Sequence, residues 1–346
     1  MTALLALLCL AGGADLCLLG GDVSMLAHNE ATGAIYRIDG APRPGLQLLR
    51  DSGWNCLRLR LFVAPNGRGG TIQDLPYVVD LAKRAKQAGF QVLLDLHYSD
   101  TWADPQNQTK PAAWKDLPFD ALVAKVESYT AEVMAAMRAA GACPEFVQVG
   151  NEITPGLLWP DGKSGNAEAL GALLRAGVRG VRRDAAAGEQ VRIVIHADCG
   201  GDVSRTRWFF DRVVAQQVPF DIVGLSYYPW WHGTLDKLRA NLAACAKAYG
   251  KPVWVVETAY PYTNAEHWST QKNMAWPISP DGQRQFLSEL VATVRDVPGG
   301  LGFGVLYWFP ESIGGQGRYA WNGGATALFD AQGNRLPGVL ALSAAK

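Results

Sequence analysis

Eight short β-rich runs, separated along most of the chain by longer segments of helical periodicity, constrain this sequence more than any other feature. The strand candidates are Leu16–Ser24, Asn55–Phe62, Phe90–His97, Phe146–Gly150, Val191–His196, Asp221–Tyr227, Val253–Glu257 and Gly302–Trp308. Between them stand segments such as DLPYVVDLAKRAKQAG, FDALVAKVESYTAEVMAAMRAAG, AEALGALLRAGVRGVRRDA and DGQRQFLSELVATVRDV, each with apolar residues at i, i+3, i+4 spacing. Such alternation implies parallel strands joined by right-handed crossovers. Eight units predict a single-domain α/β fold, a (β/α)8 TIM barrel, and no Gly/Ser/Pro linker or shift in composition divides the 346 residues. A doubly wound dinucleotide fold is the rival, but no G-x-G-x-x-G follows the first strand.

The formal net charge is zero, with no Lys/Arg block and no basic amphipathic helix, so neither nucleic acid nor an anionic membrane is an expected partner. Residues 3–10, ALLALLCL, followed by AGGA, resemble the core of an export signal, although the positive segment that usually precedes it is missing. Residues 1–14 are therefore expected to be a leader and 15–346 the barrel, in a secreted or periplasmic, monomeric protein. No later stretch is long and apolar enough for a membrane span. The six cysteines show no C-x-x-C pair and no zinc spacing, and Cys17 and Cys56, inside predicted strands, read as packing residues.

In such a barrel the chemistry lies where the strands end. Strand two carries Arg58 and Arg60, strand three ends in Asp95-Leu96-His97-Tyr98 and strand four in Asn151-Glu152. Strand five ends in His196-Ala197-Asp198, strand six in Ser226-Tyr227-Tyr228-Pro229, strand seven in Glu257 and strand eight in Tyr307-Trp308. Trp102, Trp159, Trp230, Trp231, Trp308 and Trp321 fall in or beside loops at this rim, where an aromatic face can cover the apolar face of a sugar. Trp54 and Trp254, inside or beside strands, are expected in the core.

Glu152 and Glu257 each follow a run too apolar to be a solvated face, FVQVGN and VWVV. A carboxylate there is costly unless it is paired, hydrogen-bonded or in a cleft. Either alone would serve as well to bind an arginine or cap a loop. Two of them, ending different strands, suit glycoside hydrolysis, which needs one acid to protonate the leaving oxygen and one carboxylate to attack or to activate water. A metal site from Asp95, His97, Glu152, His196 and Glu257 is a further reading, but these residues form no tight motif such as H-E-x-x-H. Arg58 and Arg60 lie two apart on one strand and point the same way, so either could reach the site; Tyr227 and Tyr228 alternate, so one is core.

HYSDTWADPQNQTKPAAW, VQVGNEITPGLLWPDG, DIVGLSYYPWWHGTL and VVETAYPY closely resemble the endo-β-1,4-galactanases of glycoside hydrolase family 53, retaining (β/α)8 glycosidases, and the likeness runs from GGDVSML to GVLYWFP. The resemblance implies that Glu152 is the acid/base, that Glu257 is the nucleophile, and that Arg58, His97, Asn151 and Tyr228 surround them. Asn151 would then hydrogen-bond the sugar 2-OH, and Arg58 and Tyr228 would hold Glu257 ionised. Asp198 and Asp202 after strand five, and the Trp230-Trp231-His232 run after strand six, are candidates for reading an axial 4-OH, with Trp308 the favoured platform. The implied substrate is β-1,4-galactan or its oligosaccharides. A related barrel cutting mannan or xylan, or a non-catalytic glycan-binding barrel, is the alternative, the latter being expected to lose one of the two carboxylates. Two positions depart from the family pattern: Phe309 stands where a Glu is expected, with Glu311 two further on, and Cys199 stands where an Asn is usual. No cofactor is expected. The loop after strand seven, which holds calcium in some bacterial members, offers only Asn264, Glu266 and Asn273, a poor oxygen cage.

Overall fold

The computed structural model describes residues 17–344, so the expected leader and Leu16 lie outside the described residues. The barrel strands are β1 (Leu18–Asp22), β2 (Cys56–Leu61), β3 (Gln91–Leu96), β4 (Phe146–Val149), β5 (Arg192–Ala197), β6 (Ile222–Tyr227), β7 (Val253–Thr258) and β8 (Gly302–Trp308). They close in the order β1-β8-β7-β6-β5-β4-β3-β2, and every neighbouring pair is parallel. The chain is a (β/α)8 TIM barrel, as the alternation predicts, with each boundary within two residues of the expected one.

Helices α1 (Gly45–Asp51), α2 (Leu75–Gln87), α3 (Phe119–Ala139), α4 (Ala167–Arg182), α5 (Val203–Ala215), α6 (Leu235–Tyr249) and α7 (Pro280–Arg295) follow the first seven strands, and the short α8 (Gly338–Ala341) follows the last. Four of the starts are fixed locally by a side chain accepting from the third residue on: Asp74 from Tyr77, Asn166 from Ala169, Asp202 from Arg205 and Ser279 from Gly282.

Inside the barrel, period-two alternation sends one residue in two inward. At the N-terminal end these are Leu18, Cys56, Leu93, Phe146, Val194, Ile222, Trp254 and Leu306, a cluster separate from the larger one between sheet and helices. At the other end the inward positions turn polar: Asp22, Arg58, Arg60, Asp95, Gln148, His196 and Ser226 are all buried. An apolar plug thus closes one mouth and leaves a charged floor at the other. Trp54 is also fully buried, with Nε1 donating to the carbonyl of Val339. Cys17 precedes β1 rather than lying in it, and Cys17, Cys56, Cys143, Cys199 and Cys245 are free thiols.

Two departures from regularity matter for the site. Gly20 lies so close to β2 that a Cβ there would stand 1.7 Å from the carbonyl oxygen of Cys56, so only glycine permits the approach that brings Asp22 alongside Arg58. In β7, Leu225 of β6 pairs with Val255 and Ser226 with Glu257, which makes Val256 the extra residue of a bulge. Trp254 and Val256 already face inward. Strict alternation would point Glu257 at the helices; the bulge turns it to the barrel axis.

The plug supplies a test of the packing account. Trp254→Ala, which empties the widest position in it, is expected to lower stability by about 3–5 kcal/mol, read by urea-induced unfolding at neutral pH.

Candidate active site

The floor of the C-terminal mouth is organised by one guanidinium. Arg58, fully buried, donates from Nη1 to Asp22 Oδ2 (3.1 Å) and from Nη2 to Asp95 Oδ2 (2.8 Å) and Asn151 Oδ1 (2.6 Å), and Nη1 stands 3.2 Å from Glu257 Oε2. Arg60 points the same way but stays behind the site. Its Nη1 is 3.2 Å from Asp22 Oδ1, and its guanidinium lies 4.9, 4.6 and 4.5 Å from the rings of Trp102, Trp308 and Phe309. Of the two arginines, Arg58 is therefore the one that touches the candidate nucleophile.

Burial opposes the charge on Asp95, yet Arg58 and His97 outweigh it and hold its carboxyl below the usual range. His97 places Nε2 3.0 Å from Asp95 Oδ2, and its Nδ1 accepts from the backbone N–H of Ala103 (3.1 Å), which ties down the loop bearing Trp102. Asn151 accepts from Arg58 and donates from Nδ2 to the carbonyl of Ala103 (2.8 Å), leaving one amide hydrogen for a ligand.

Glu257 accepts from Tyr228 Oη (2.7 Å), while Tyr227, on the opposite face, donates to the carbonyl of Gly233 (2.7 Å) and is core. Burial pushes Glu257 up to about 7, against Arg58 and Tyr228, which both favour its charged form. Glu152 is pushed further. Burial, then the charges of Glu257 and Asp198, raise it well above the usual carboxylate range, and the donation from Ser226 Oγ (2.6 Å) and the more remote Arg58 offset this only in part. One carboxyl faces a cation and the other does not, so Glu257 is the first to ionise and Glu152 the one that keeps a proton.

Glu152 adopts a left-handed backbone, φ 48°, immediately after Gly150 and Asn151 at the end of β4. This strained turn sends its N–H to His196 Nδ1 (3.2 Å) on β5. His196 is fully buried and kept neutral, by burial first and by Arg58 second, and its Nε2 lies 2.8 Å from Ser226 Oγ. Ser226 and His196 contact the site directly or through one bond, yet no motif in the sequence marks them; only their inward register at the ends of β6 and β5 could have.

Above the floor lies a cleft of about 540 Å³ in which Asn151, Glu152, Tyr228 and Glu257 meet Trp102, Trp231, Trp308, Phe309, Tyr319 and Trp321. Asp104, Gln106 and Asn107, from the loop after β3, supply its polar edge. They form an Asp-Pro-Gln-Asn turn in which Asp104 Oδ1 accepts from the N–H of Gln106 (2.7 Å) and of Asn107 (2.9 Å), and the sequence marks them as part of the family-like run HYSDTWADPQNQTKPAAW but not as a wall of the site.

Four candidates stand elsewhere. Trp230 is buried among Tyr228, Trp231 and Trp268, and the ring that lines the cleft is Trp231, 65% exposed. Pro229–His232 is a helical turn, which rotates successive side chains by about 100° and turns one ring in and the next out. Asp202 does not line the cleft; it is the N-cap of α5. Asp198 is held by Arg205 (3.0 Å) behind Glu152, where it acts by charge rather than contact. Trp159 donates to the carbonyl of Pro155 within the hairpin formed by Gly156–Leu157 and Gly162–Lys163 and is absent from the cleft wall. Of the two departures from the family pattern, Phe309 after β8 joins the aromatic wall, while Glu311, two residues on, is buried and accepts from the N–H of Met25 (2.9 Å). Cys199 borders a separate depression with Asp202, Arg205 and Lys237.

Among the described residues, Glu152, His196 and Glu257 bring one potential ligand atom each within 4.8 Å of one another. Those positions are already engaged: both imidazole nitrogens are in hydrogen bonds and a guanidinium adjoins Glu257. The donor set suits a proton better than a divalent cation.

A closed barrel with two carboxyls of unequal acidity in an aromatic cleft defines a glycoside hydrolase. The comparisons agree: residues 18–342 match the model of glycosyl hydrolase family 53, and the chain belongs to that family. It is 40% identical to the "Probable arabinogalactan endo-beta-1,4-galactanase A" of Aspergillus terreus, over 84% of each chain. Among solved structures it resembles the GH53 catalytic domain of Ignisphaera aggregans (32% identity, 96% of each chain, TM-score 0.88). It also resembles a structure from a study of two fungal β-1,4-galactanases (33% identity, 93% of this chain and 98% of that one, TM-score 0.82).

The raised pKa of Glu257 has a consequence for stability. Between about 4.5 and about 7 the native carboxyl retains a proton that the unfolded chain has lost, so stability falls as pH rises through this window. Glu257→Gln, which cannot ionise, is expected to melt higher than the parent at pH 8, with the difference vanishing towards pH 4.5; thermal unfolding of both across the range measures it.

Proposed function

We propose that the enzyme is a retaining endo-glycosidase that cuts β-1,4-galactosidic linkages in galactan and arabinogalactan, with Glu257 as nucleophile and Glu152 as acid/base. The observation that carries this reading is the carboxylate pair itself. Oxygens of the two groups come within 4.8 Å of each other, which favours the short spacing of about 5–5.5 Å used for direct attack over the wider one that leaves room for a water.

In the first step Glu152 gives its proton to the glycosidic oxygen while Glu257 attacks the anomeric carbon, and the aglycone leaves as an alcohol. In the second, ionised Glu152 takes a proton from water, whose oxygen displaces Glu257 from the anomeric carbon. Two inversions give net retention. Asn151 presents its free amide hydrogen to the 2-OH, and Trp231, Trp308 and Trp321 offer ring faces to neighbouring sugars. The sequence relatives named as galactanases favour galactan over mannan or xylan. A polymer substrate does not cross membranes, so the reading carries export with it, in keeping with the apolar run from Ala3 to Leu10.

Reducing-sugar release from galactan, arabinogalactan, mannan, xylan and cellulose, with proton NMR of the first products, tests both halves of the proposal. Galactan is expected to be cut internally to short oligosaccharides whose new reducing ends are initially β. Comparable rates on mannan or xylan would overturn the substrate, and initial α products the mechanism. Glu152→Ala is expected to lose far more activity on galactan than on an aryl galactoside with an acidic phenol, and external azide should restore turnover of the latter as the β-galactosyl azide.

A further inference from the structure

Resting on the reading of Glu152 as acid/base, we propose that His196 and Ser226 are positioning residues that dictate which oxygen of Glu152 carries the catalytic proton. One donor around His196 has a direction beyond choice. The backbone N–H of Glu152 points at His196 Nδ1 (3.2 Å), so Nδ1 must accept and the neutral ring must carry its hydrogen on Nε2. Gln148 Nε2, 3.1 Å from the same Nδ1, is a second donor consistent with this. Asn151 Oδ1, 3.1 Å away, already accepts from Arg58 and does not need the histidine's hydrogen.

The remaining steps follow. His196 Nε2–H donates to Ser226 Oγ (2.8 Å), whose lone hydrogen then goes to Glu152 Oε1 (2.6 Å). The chain of donors leaves Glu152 at its amide and returns to it at its carboxyl. Because Oε1 is committed as an acceptor, the acid proton of Glu152 sits on Oε2. The left-handed backbone at Glu152, φ 48°, is what turns the amide toward His196 and starts the sequence. In the second half-reaction the same Ser226 hydrogen stabilises the carboxylate that must accept a proton from water.

Every charged or titratable neighbour of Glu152 enters the expected pH behaviour. Glu257 from β7 and Asp198 after β5 favour its neutral form, Arg58 from β2 favours its ionised form, and Tyr228 after β6 and His196 from β5 stay uncharged near neutrality. Ser226 is the hydrogen-bond donor that favours the ionised form. Removing its hydroxyl makes Glu152 hold its proton to higher pH. Ser226→Ala is therefore expected to move the alkaline limb of kcat/KM on galactan upward by about one pH unit. It should also lower kcat on galactan at least roughly tenfold, with a much smaller loss on an aryl galactoside carrying an acidic phenol, whose departure needs no oriented proton.

The test pairs those profiles with a measurement on the unaltered enzyme, nitrogen NMR of protein labelled at its five histidines. His196 is expected as a neutral Nε2–H tautomer from about pH 5 to about pH 8. An alkaline limb that stays in place or moves down, equal losses on the two substrates, or a His196 that carries hydrogen on Nδ1 or titrates in that range would each overturn the proposal. Should Ser226→Ala not fold, the histidine spectrum alone decides it. Failure of azide to rescue Glu152→Ala would instead remove the reading on which the proposal rests.

Discussion

The guanidinium of Arg58 holds this active site together. It is buried at the barrel axis against carboxylates from β1, β3 and β7 and the amide of Asn151 after β4, so four strand ends are fixed relative to β2 by one side chain. Burying such ions is unfavourable in itself, and an arrangement of this kind stands because the cation faces three carboxylates at once; removing the cation would leave them buried and unpaired, which typically costs about 3–5 kcal/mol. What the barrel gains is asymmetry. Two glutamates share an enclosed cleft, and burial raises both, but only Glu257 lies against the cation. In the proposed mechanism, the division of labour between them follows from where a single positive charge is placed.

That placement depends on irregularities as much as on the barrel. A bulge at Val256 turns Glu257 inward beside Val256's own inward position, and a left-handed residue at Glu152 lets the other glutamate bond to β5. Each is an unfavourable local geometry at the end of an otherwise regular strand, held by the packed plug below and the hydrogen-bonded floor around it. The scaffold supplies rigidity, and the strained residues aim the chemistry.

The barrel was legible because its eight strands and main helices carry their own periodicities, and the two glutamates because two acids, each after an apolar run and ending different strands, are harder to explain as separate structural groups than as a pair. The inward register of Arg58 and Arg60 also followed from alternation, but which of them met Glu257 depended on Gly20, whose missing side chain lets β1 and Asp22 come close. Errors fell where a local rule competed with the rim pattern. Asp202 looked like a ligand and is a helix cap; Trp230 looked like a platform and is turned inward by one helical turn. Ser226 was named at the end of its strand but given no role, because a serine there has no distinctive signature until its neighbours across the sheet are known. The wall formed by Asp104, Gln106 and Asn107 depended likewise on a loop path that a turn motif does not specify.

The central claim is that Arg58 makes Glu257, and not Glu152, the carboxylate that bonds to sugar. The most direct measurement is peptide mapping by mass spectrometry after reaction with a 2-fluorinated galactobioside bearing a good leaving group, which slows release of the glycosyl-enzyme. The account predicts one label per active enzyme, on Glu257. A label on Glu152 or on any other carboxylate would contradict it.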